Sequence, residues 1–306
     1  MPVASDPRQA AIVGTTASGK STAAMAVARQ LGNVELVSAD SMAIYRGMDL
    51  ATAKASASDR AEIPHHLIDL CEPSVEFTVA EFQAAGLKAM AGIAERGKHA
   101  VLVGGSGLYQ RSLVDQLEIP SSFPELRAAL EARVEAGELP ALYAELQEVD
   151  PEAASRIEPG NARRTVRALE VIQGTGRRFS ESSPSLNAYP EAAVRQWGIS
   201  FDPERVDEAI EARFAQWMEQ GLLAEVEALL AAPEPPSRTA MQAAGYAELA
   251  EHLQHGLALE EAVERSVLRS RQLARRQWRW FRRDPRITWT ETPEACAEAV
   301  AAYLGS

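Results

Sequence analysis

Residues 14–21 read Gly-Thr-Thr-Ala-Ser-Gly-Lys-Ser, which fits G-x-x-x-x-G-K-[ST], the signature of a phosphate-binding loop. The motif constrains the fold because it needs a buried strand before it and a helix opening behind it. Both are present: Ala10-Ala11-Ile12-Val13 precedes the loop, and Ser21-Thr22-Ala23-Ala24-Met25-Ala26-Val27-Ala28 follows it. Gly14 and Gly19 let the chain curl so that the amides of Thr15, Thr16, Ala17 and Ser18 point inward. The helix start adds partial positive charge and Lys20 adds a full one. Ser21 Oγ is positioned to reach a Mg²⁺ carried on the phosphates. The loop therefore calls for a polyphosphate or pyrophosphate and leaves open what becomes of it.

Further strands follow the first. Val34-Glu35-Leu36-Val37-Ser38-Ala39-Asp40 ends on a carboxylate, and His99-Ala100-Val101-Leu102-Val103 is closed by Gly104-Gly105-Ser106-Gly107. Between them Thr78 is an expected N-cap for a helix running to about residue 94, which Gly97 stops. Strands alternating with helices imply a parallel sheet with ligands at the carboxyl ends of its strands. The expected class is α/β, a P-loop NTPase-like parallel sheet flanked by helices.

From about Pro120 the pattern turns helical, with segments at 125–136, 141–148, 151–157 and 161–173, then a loop at 180–185. We read 120–188 as an all-helical insertion into a core formed by 1–119 and 189–306. Strand character returns at Val194-Arg195-Gln196-Trp197-Gly198-Ile199. Asp202 then caps a helix that has Pro203 at its first position. Helices are expected at 206–230, 240–254 and 259–283, and an edge strand at Ile287-Thr288-Trp289.

A net charge of −12 argues against a general nucleic-acid coat, but the charge is uneven. Arginine stands at 265, 269, 271, 275, 276, 279, 282 and 283. Arg271, Arg275, Arg279 and Arg282 share one helical face, with few acidic residues in their own segment, which favours contacts to a polyanion. Val267, Ala274, Trp278 and Phe281 are expected on the buried stripe. No apolar run is long enough to span a bilayer, and the polar start, Met1 to Arg8, lacks the apolar stretch of a signal peptide. Cys71 and Cys296 have neither metal nor disulfide spacing and are expected to be buried thiols in a reducing cytoplasm.

Asp40 suits two roles, a carboxylate beside the metal or a general base for an incoming nucleophile; the second is preferred. Ser106 is either a turn serine or a hydroxyl donated to a phosphate oxygen. Lys54, His65 and His66 carry no catalytic pattern, and Arg213 by spacing alone is a solvated helical arginine.

Taken in order, several segments have a combined meaning: Gly14–Ser21, Val37–Asp49, Pro64-His65-His66-Leu67-Ile68-Asp69, Val103–Tyr109, Arg164–Glu170, Ala244-Gly245-Tyr246 and Arg271–Gln277. With these the chain resembles the bacterial tRNA dimethylallyltransferases over about residues 10–290. It departs from the family at Thr15, at Ser106 where threonine is usual, and at Ala51-Thr52-Ala53-Lys54-Ala55. The resemblance implies that the loop holds the pyrophosphate of dimethylallyl diphosphate, with Mg²⁺, in place of ATP. It implies Asp40 as base, with Lys20, Ser106 and Arg213 stabilising the leaving group. The implied tRNA contacts are Asp40, Ser41, Met42, Ala43 and Ser106; Arg127, Arg163, Arg164, Thr165, Val166 and Arg167; Gln242, Gly245 and Tyr246; and Arg271, Arg275, Arg276 and Gln277. A cytoplasmic monomer with no membrane partner is expected. The rival readings are a small-molecule kinase, a non-catalytic RNA-binding protein and a prenyltransferase for free adenine nucleotides.

Overall fold

The computed structural model describes residues 7–182 and 188–306. Six strands form one parallel sheet: β1 (Gln9–Val13), β2 (Val34–Ser38), β3 (His65–His66), β4 (His99–Gly104), β5 (Arg195–Ile199) and β6 (Ile287–Thr290). Their order is β3-β2-β4-β1-β5-β6, so β4 lies between β1 and β2 and the carboxyl ends of these three strands are adjacent. In register, Val13 faces Gly104 and Val103 faces Ser38.

The helices are α1 (Lys20–Leu31), α2 (Ala57–Glu62), α3 (Val79–Glu95), α4 (Gly107–Val114), α5 (Pro124–Glu135), α6 (Leu139–Val149), α7 (Pro151–Arg156), α8 (Ala162–Thr175), α9 (Phe179–Ser182), α10 (Pro203–Glu219), α11 (Leu222–Leu230), α12 (Tyr246–His255), α13 (Leu259–Phe281) and α14 (Pro293–Gly305). Strand alternation sorts side chains into two cores. Ala11, Val37 and Leu102 join a layer built with α3, α4 and α10–α13. Ala10, Ile12, Leu36 and Val101 join the opposite layer, where α1 and α14 pack. Thr78 caps α3 through a reciprocal capping box with Glu81, and Asp202 caps α10. Cys71 and Cys296 are both buried.

The chain divides into two compact units, Met1–Asp115 with Glu191–Ser306, and Gln116–Pro190. The division falls a few residues from the 120 and 188 read from composition. Within the second unit α5–α8 enclose a core of Leu130, Leu142, Leu146, Val166 and Leu169. Two expected helices are broken. Residues 206–230 divide into α10 and α11 at Gly221 (φ +100°), and 240–254 divide into a 3₁₀ turn, Ala240–Gln242, and α12 at Gly245. The expected loop at 180–185 begins as the end of α9, and its residues 183–185 lie outside the described residues, as do Met1–Asp6 of the polar start.

Candidate active site

The loop after β1 folds back on itself. Ser18 N–H reaches the Thr15 carbonyl at 3.3 Å, and Ala17 (φ 61°) and Gly19 (φ 88°) both adopt left-handed backbone. For Ala17 that conformation is costly, of order 1 kcal/mol, and is tolerated where the surroundings dictate it. Gly14 is crossed closely by its own loop: a Cβ there would lie 2.6 Å from Ser18 Oγ. α1 begins at Lys20 with no side-chain cap, which leaves its first-turn amides open to an anion. Lys20 Nζ donates to the Thr15 carbonyl at 3.0 Å, and Ser21 lies exposed beside it.

Two cations meet at this loop. Burial lowers the Lys20 ammonium to about 8; the Asp40 charge works against that and the Arg213 charge adds to it. Burial also lowers the Arg213 guanidinium, which lies 5.8 Å from the centre of the Trp217 ring. Neither cation makes an ion pair among the described residues. Lys20, Asp40 and Arg213 thus share one electrostatic neighbourhood, although they come from α1, the end of β2 and α10. The solvated arginine expected from spacing alone is instead half-buried.

Strand order brings the remaining parts together. Asp40 follows β2, and its Oδ1 accepts the Met42 N–H at 2.8 Å. Ser106 follows β4; its Oγ accepts the Ser41 N–H at 3.2 Å and lies 3.3 Å from Ser41 Oγ. The two glycines before it serve the protein's own packing. A Cβ on Gly104 would strike the Ala39 carbonyl, and one on Gly105 would strike the Gln277 amide.

The loop carrying Asp40 is clamped from below. Ile44, Tyr45 and Met48 are fully buried. The buried Lys54 ammonium donates to the Tyr45 carbonyl at 2.7 Å, to Asp49 at 2.5 Å and to Asp69 at 2.7 Å. Asp69 and Leu70 return their N–H groups to the carbonyls of Ala43 and Ile44. This accounts for the segments around Lys54 and Pro64–Asp69 without a catalytic role. A second clamp was not visible in the sequence: Glu225 accepts the N–H of Asp49 at 3.1 Å and the Tyr246 hydroxyl at 2.5 Å.

Several expected RNA contacts sit elsewhere. Tyr246 is fully buried, and Gly245 (φ +100°) lies against the Phe214 ring. Ala43 is also buried. In the second unit Thr165 and Val166 are buried on the inward face of α8, while Arg127 and Arg167 both bind the buried Glu170 carboxylate, at 2.9 and 3.0 Å. Arg163 and Arg164 are exposed and make no ion pair among the described residues. On α13, Arg271 binds Glu211, and Arg275 binds Asp207 at 2.8 Å, so α10 supplies the acidic partners missing from the local sequence. Arg276, Arg279 and Arg282 remain exposed without an ion pair among the described residues. Gln277 is buried, and its Oε1 accepts the Thr16 N–H at 2.7 Å. A matching four-residue spacing, Asp207/Glu211 against Arg271/Arg275, was the available signal for the paired interface. Trp278 is half-buried, stacked on Phe201 at 5.8 Å, while Ala274 and Phe281 are buried as expected.

The family model for IPP transferase matches residues 43–284. The chain belongs to the IPP transferase family. The tRNA dimethylallyltransferase of Nocardioides sp. is 45% identical over 279 residues, covering 91% of this chain and 89% of the relative. The full-length tRNA isopentenylpyrophosphate transferase of Bacillus halodurans superposes with a TM-score of 0.69 at 34% identity, covering 97% of each chain. A eukaryotic dimethylallyltransferase captured acting on tRNA superposes with a TM-score of 0.77 at 25% identity, over 93% of this chain and 74% of that one. These relatives favour the prenyl-transfer reading over the kinase reading. The α/β architecture with its parallel sheet is that of these IPP transferase structures.

Proposed function

We propose that this chain transfers the dimethylallyl group of dimethylallyl diphosphate to the exocyclic amine of the adenosine 3′ to the anticodon, position 37 of tRNA, releasing diphosphate. The observation that carries the reading is that Lys20 and Arg213, two half-buried cations with no ion-pair partner among the described residues, share one electrostatic neighbourhood with the Asp40 carboxylate beside the phosphate loop. Cations held this way suit a highly charged leaving group, and a carboxylate beside them suits removal of a proton from the attacking amine.

The adenine amine is a poor nucleophile because its lone pair is delocalised into the ring. Alignment and leaving-group stabilisation must therefore carry much of the rate. The base is extruded from the anticodon loop to reach the site. As the N–C bond forms and the allylic C–O bond breaks, the electron pair leaves with the diphosphate oxygen and the amine proton passes to Asp40. Lys20, Arg213 and the open amides at the start of α1 stabilise the departing charge, and the Ser106 hydroxyl donates to it when Ser41 Oγ supplies the hydrogen between them.

The donors fit Mg²⁺. Ser21 offers an exposed hydroxyl at the helix start, and among the described residues no cluster of three His, Cys, Asp or Glu forms a protein cage. An ion carried in on diphosphate and kept mostly in water needs only such a partial site. When bound it neutralises diphosphate charge. Exposed Arg163, Arg164, Arg276, Arg279 and Gln242, with half-buried Ser41 and Met42, are the groups available to tRNA. Among the described residues no helix is long and apolar enough to cross a membrane, and work on a tRNA substrate supports a place in the cytoplasm.

The test is incubation with labelled dimethylallyl diphosphate and unmodified tRNA, followed by nucleoside analysis. Labelled isopentenyladenosine at position 37 is expected. Phosphoryl transfer from ATP with no prenylated nucleoside would restore the kinase reading.

A further inference from the structure

The geometry points to Gln277 as a positioning residue for the diphosphate cradle: its side-chain amide, reaching from α13, holds the phosphate loop in the curl that receives the leaving group. The inference rests on the proposed reading of residues 14–21 as the diphosphate site.

Three observations carry it. Gln277 is only 9% exposed, on the same inward face as Ala274 and Phe281, three residues before and four after it. A side chain there cannot grip a phosphodiester backbone on the outside of the helix; the neighbouring Arg276 and Arg279 can. Second, its Oε1 accepts the Thr16 N–H at 2.7 Å, next to left-handed Ala17. That bond satisfies a part-buried loop amide and offsets part of the strain at Ala17. Third, the other end of the amide is wedged against Gly105 so closely that a Cβ there would strike it, and Gly105 also borders the Gly14 carbonyl. The amide therefore bridges the start of the loop and the end of β4.

The far end of α13 is itself tied down. Arg286 binds Asp284 and the buried Asp115 at the end of α4, each at 2.6 Å. Gln277 thus has a fixed base from which to set the loop. The Thr16 amide is committed to the protein, so the curl exists before ligand arrives, and binding need not bear the cost of forming it.

The test uses the full chain with Gln277→Met, which keeps the volume and removes the acceptor, and Gly105→Ala, which displaces the amide from the other side. Affinity for inorganic pyrophosphate with Mg²⁺ is measured by calorimetry, and affinity for a labelled anticodon stem-loop RNA by fluorescence anisotropy. In both variants pyrophosphate binding should weaken about tenfold, the scale of losing one part-buried hydrogen bond that shapes the loop. The KM for dimethylallyl diphosphate should rise in step, and RNA affinity should stay within about twofold. Unchanged pyrophosphate affinity in both variants overturns the proposal, as does loss of RNA affinity with pyrophosphate binding intact. If Gln277→Met does not fold, Gly105→Ala decides by the same readings. Failure of the unmodified protein to bind pyrophosphate would instead overturn the diphosphate reading, and this inference with it.

Discussion

Lys20→Met should make the ligand-free protein more stable while removing its hold on diphosphate. Burial brings the Lys20 ammonium from 10.5 to about 8. That gap, 10.5 minus about 8, is about 2.5 pH units; at about 1.4 kcal/mol each, holding the charge in place costs the fold about 3.5 kcal/mol at neutral pH. Lys20 keeps partial solvent contact, and the substitution also loses the bond to the Thr15 carbonyl. The expected net gain is therefore ~1–2 kcal/mol, or a few degrees in Tm for a protein of this size. The pH dependence follows from proton counts. Below about 8 the lysine is charged in both folded and unfolded chains, and its full cost is present. Between about 8 and 10.5 the unfolded chain holds more of that proton, so the stability of the unmodified protein rises with pH and the variant's advantage fades. Thermal melts in phosphate-free buffer at neutral and at alkaline pH measure this directly. Pyrophosphate with Mg²⁺ should then raise the Tm of the unmodified protein and leave the variant unmoved. A variant that melts at or below the unmodified protein at pH 7, or one still stabilised by pyrophosphate, would refute the reasoning.

Three further outcomes are expected. Asp40→Asn should lower single-turnover prenyl transfer by roughly 10²–10⁴, the usual worth of a general base, with RNA affinity retained in anisotropy; full transfer would remove Asp40 from that role. Arg276→Ala with Arg279→Ala should weaken RNA binding and flatten its logarithmic salt dependence by roughly two, whereas Arg275→Ala, paired with Asp207, should flatten it less; equal slopes for all three proteins would count against the assignment. Burial pushes the Glu35 carboxyl up, but hydrogen bonds from Arg96, His66 and Lys98 outweigh it and hold the group at about 2, against 4.5 when unperturbed. Stability from this cluster is complete above about 4.5 and is lost as pH falls through about 2, so Glu35→Gln should be destabilised at pH 7 by ~1–3 kcal/mol and converge on the unmodified protein in acid denaturation curves.

What could be read from the sequence was whatever depends on local pattern. The loop, the strands flanking it and the carboxylate and hydroxyl at their ends are each encoded within a dozen residues, and the parallel order then brings those ends together. Partnerships across the sheet and between helices were not legible. The need for glycine at 104 and 105 comes from the Ala39 carbonyl and the Gln277 amide, which occupy the space a Cβ would take. Arg127 and Arg167 look like phosphate contacts because the Glu170 that engages them is buried, and nothing in a one-dimensional pattern says which glutamate on an amphipathic helix turns inward. Tyr246 offers a hydroxyl to any ligand on paper, but Glu225, from another helix, already takes it. For Arg127 and Tyr246 the group is taken by a residue distant in sequence, Glu170 and Glu225, and for Arg167 by Glu170 one turn on along its own helix.

The arginines of α13 give such pairing a constructive side. Asp207 and Glu211 draw Arg271 and Arg275 onto α10, which lowers the charge available to RNA. The same contacts fix the two helices against each other. Two residues beyond Glu211 on α10 stands Arg213, and two residues beyond Arg275 on α13 stands Gln277. One side chain bears on the charge of the cradle and the other on its shape. Exposed ion pairs contribute little stability individually, and here two of them, one turn apart on each helix, span α10 and α13. The carboxylates that would subtract from RNA binding thus join the two helices that carry Arg213 and Gln277 to the proposed diphosphate site.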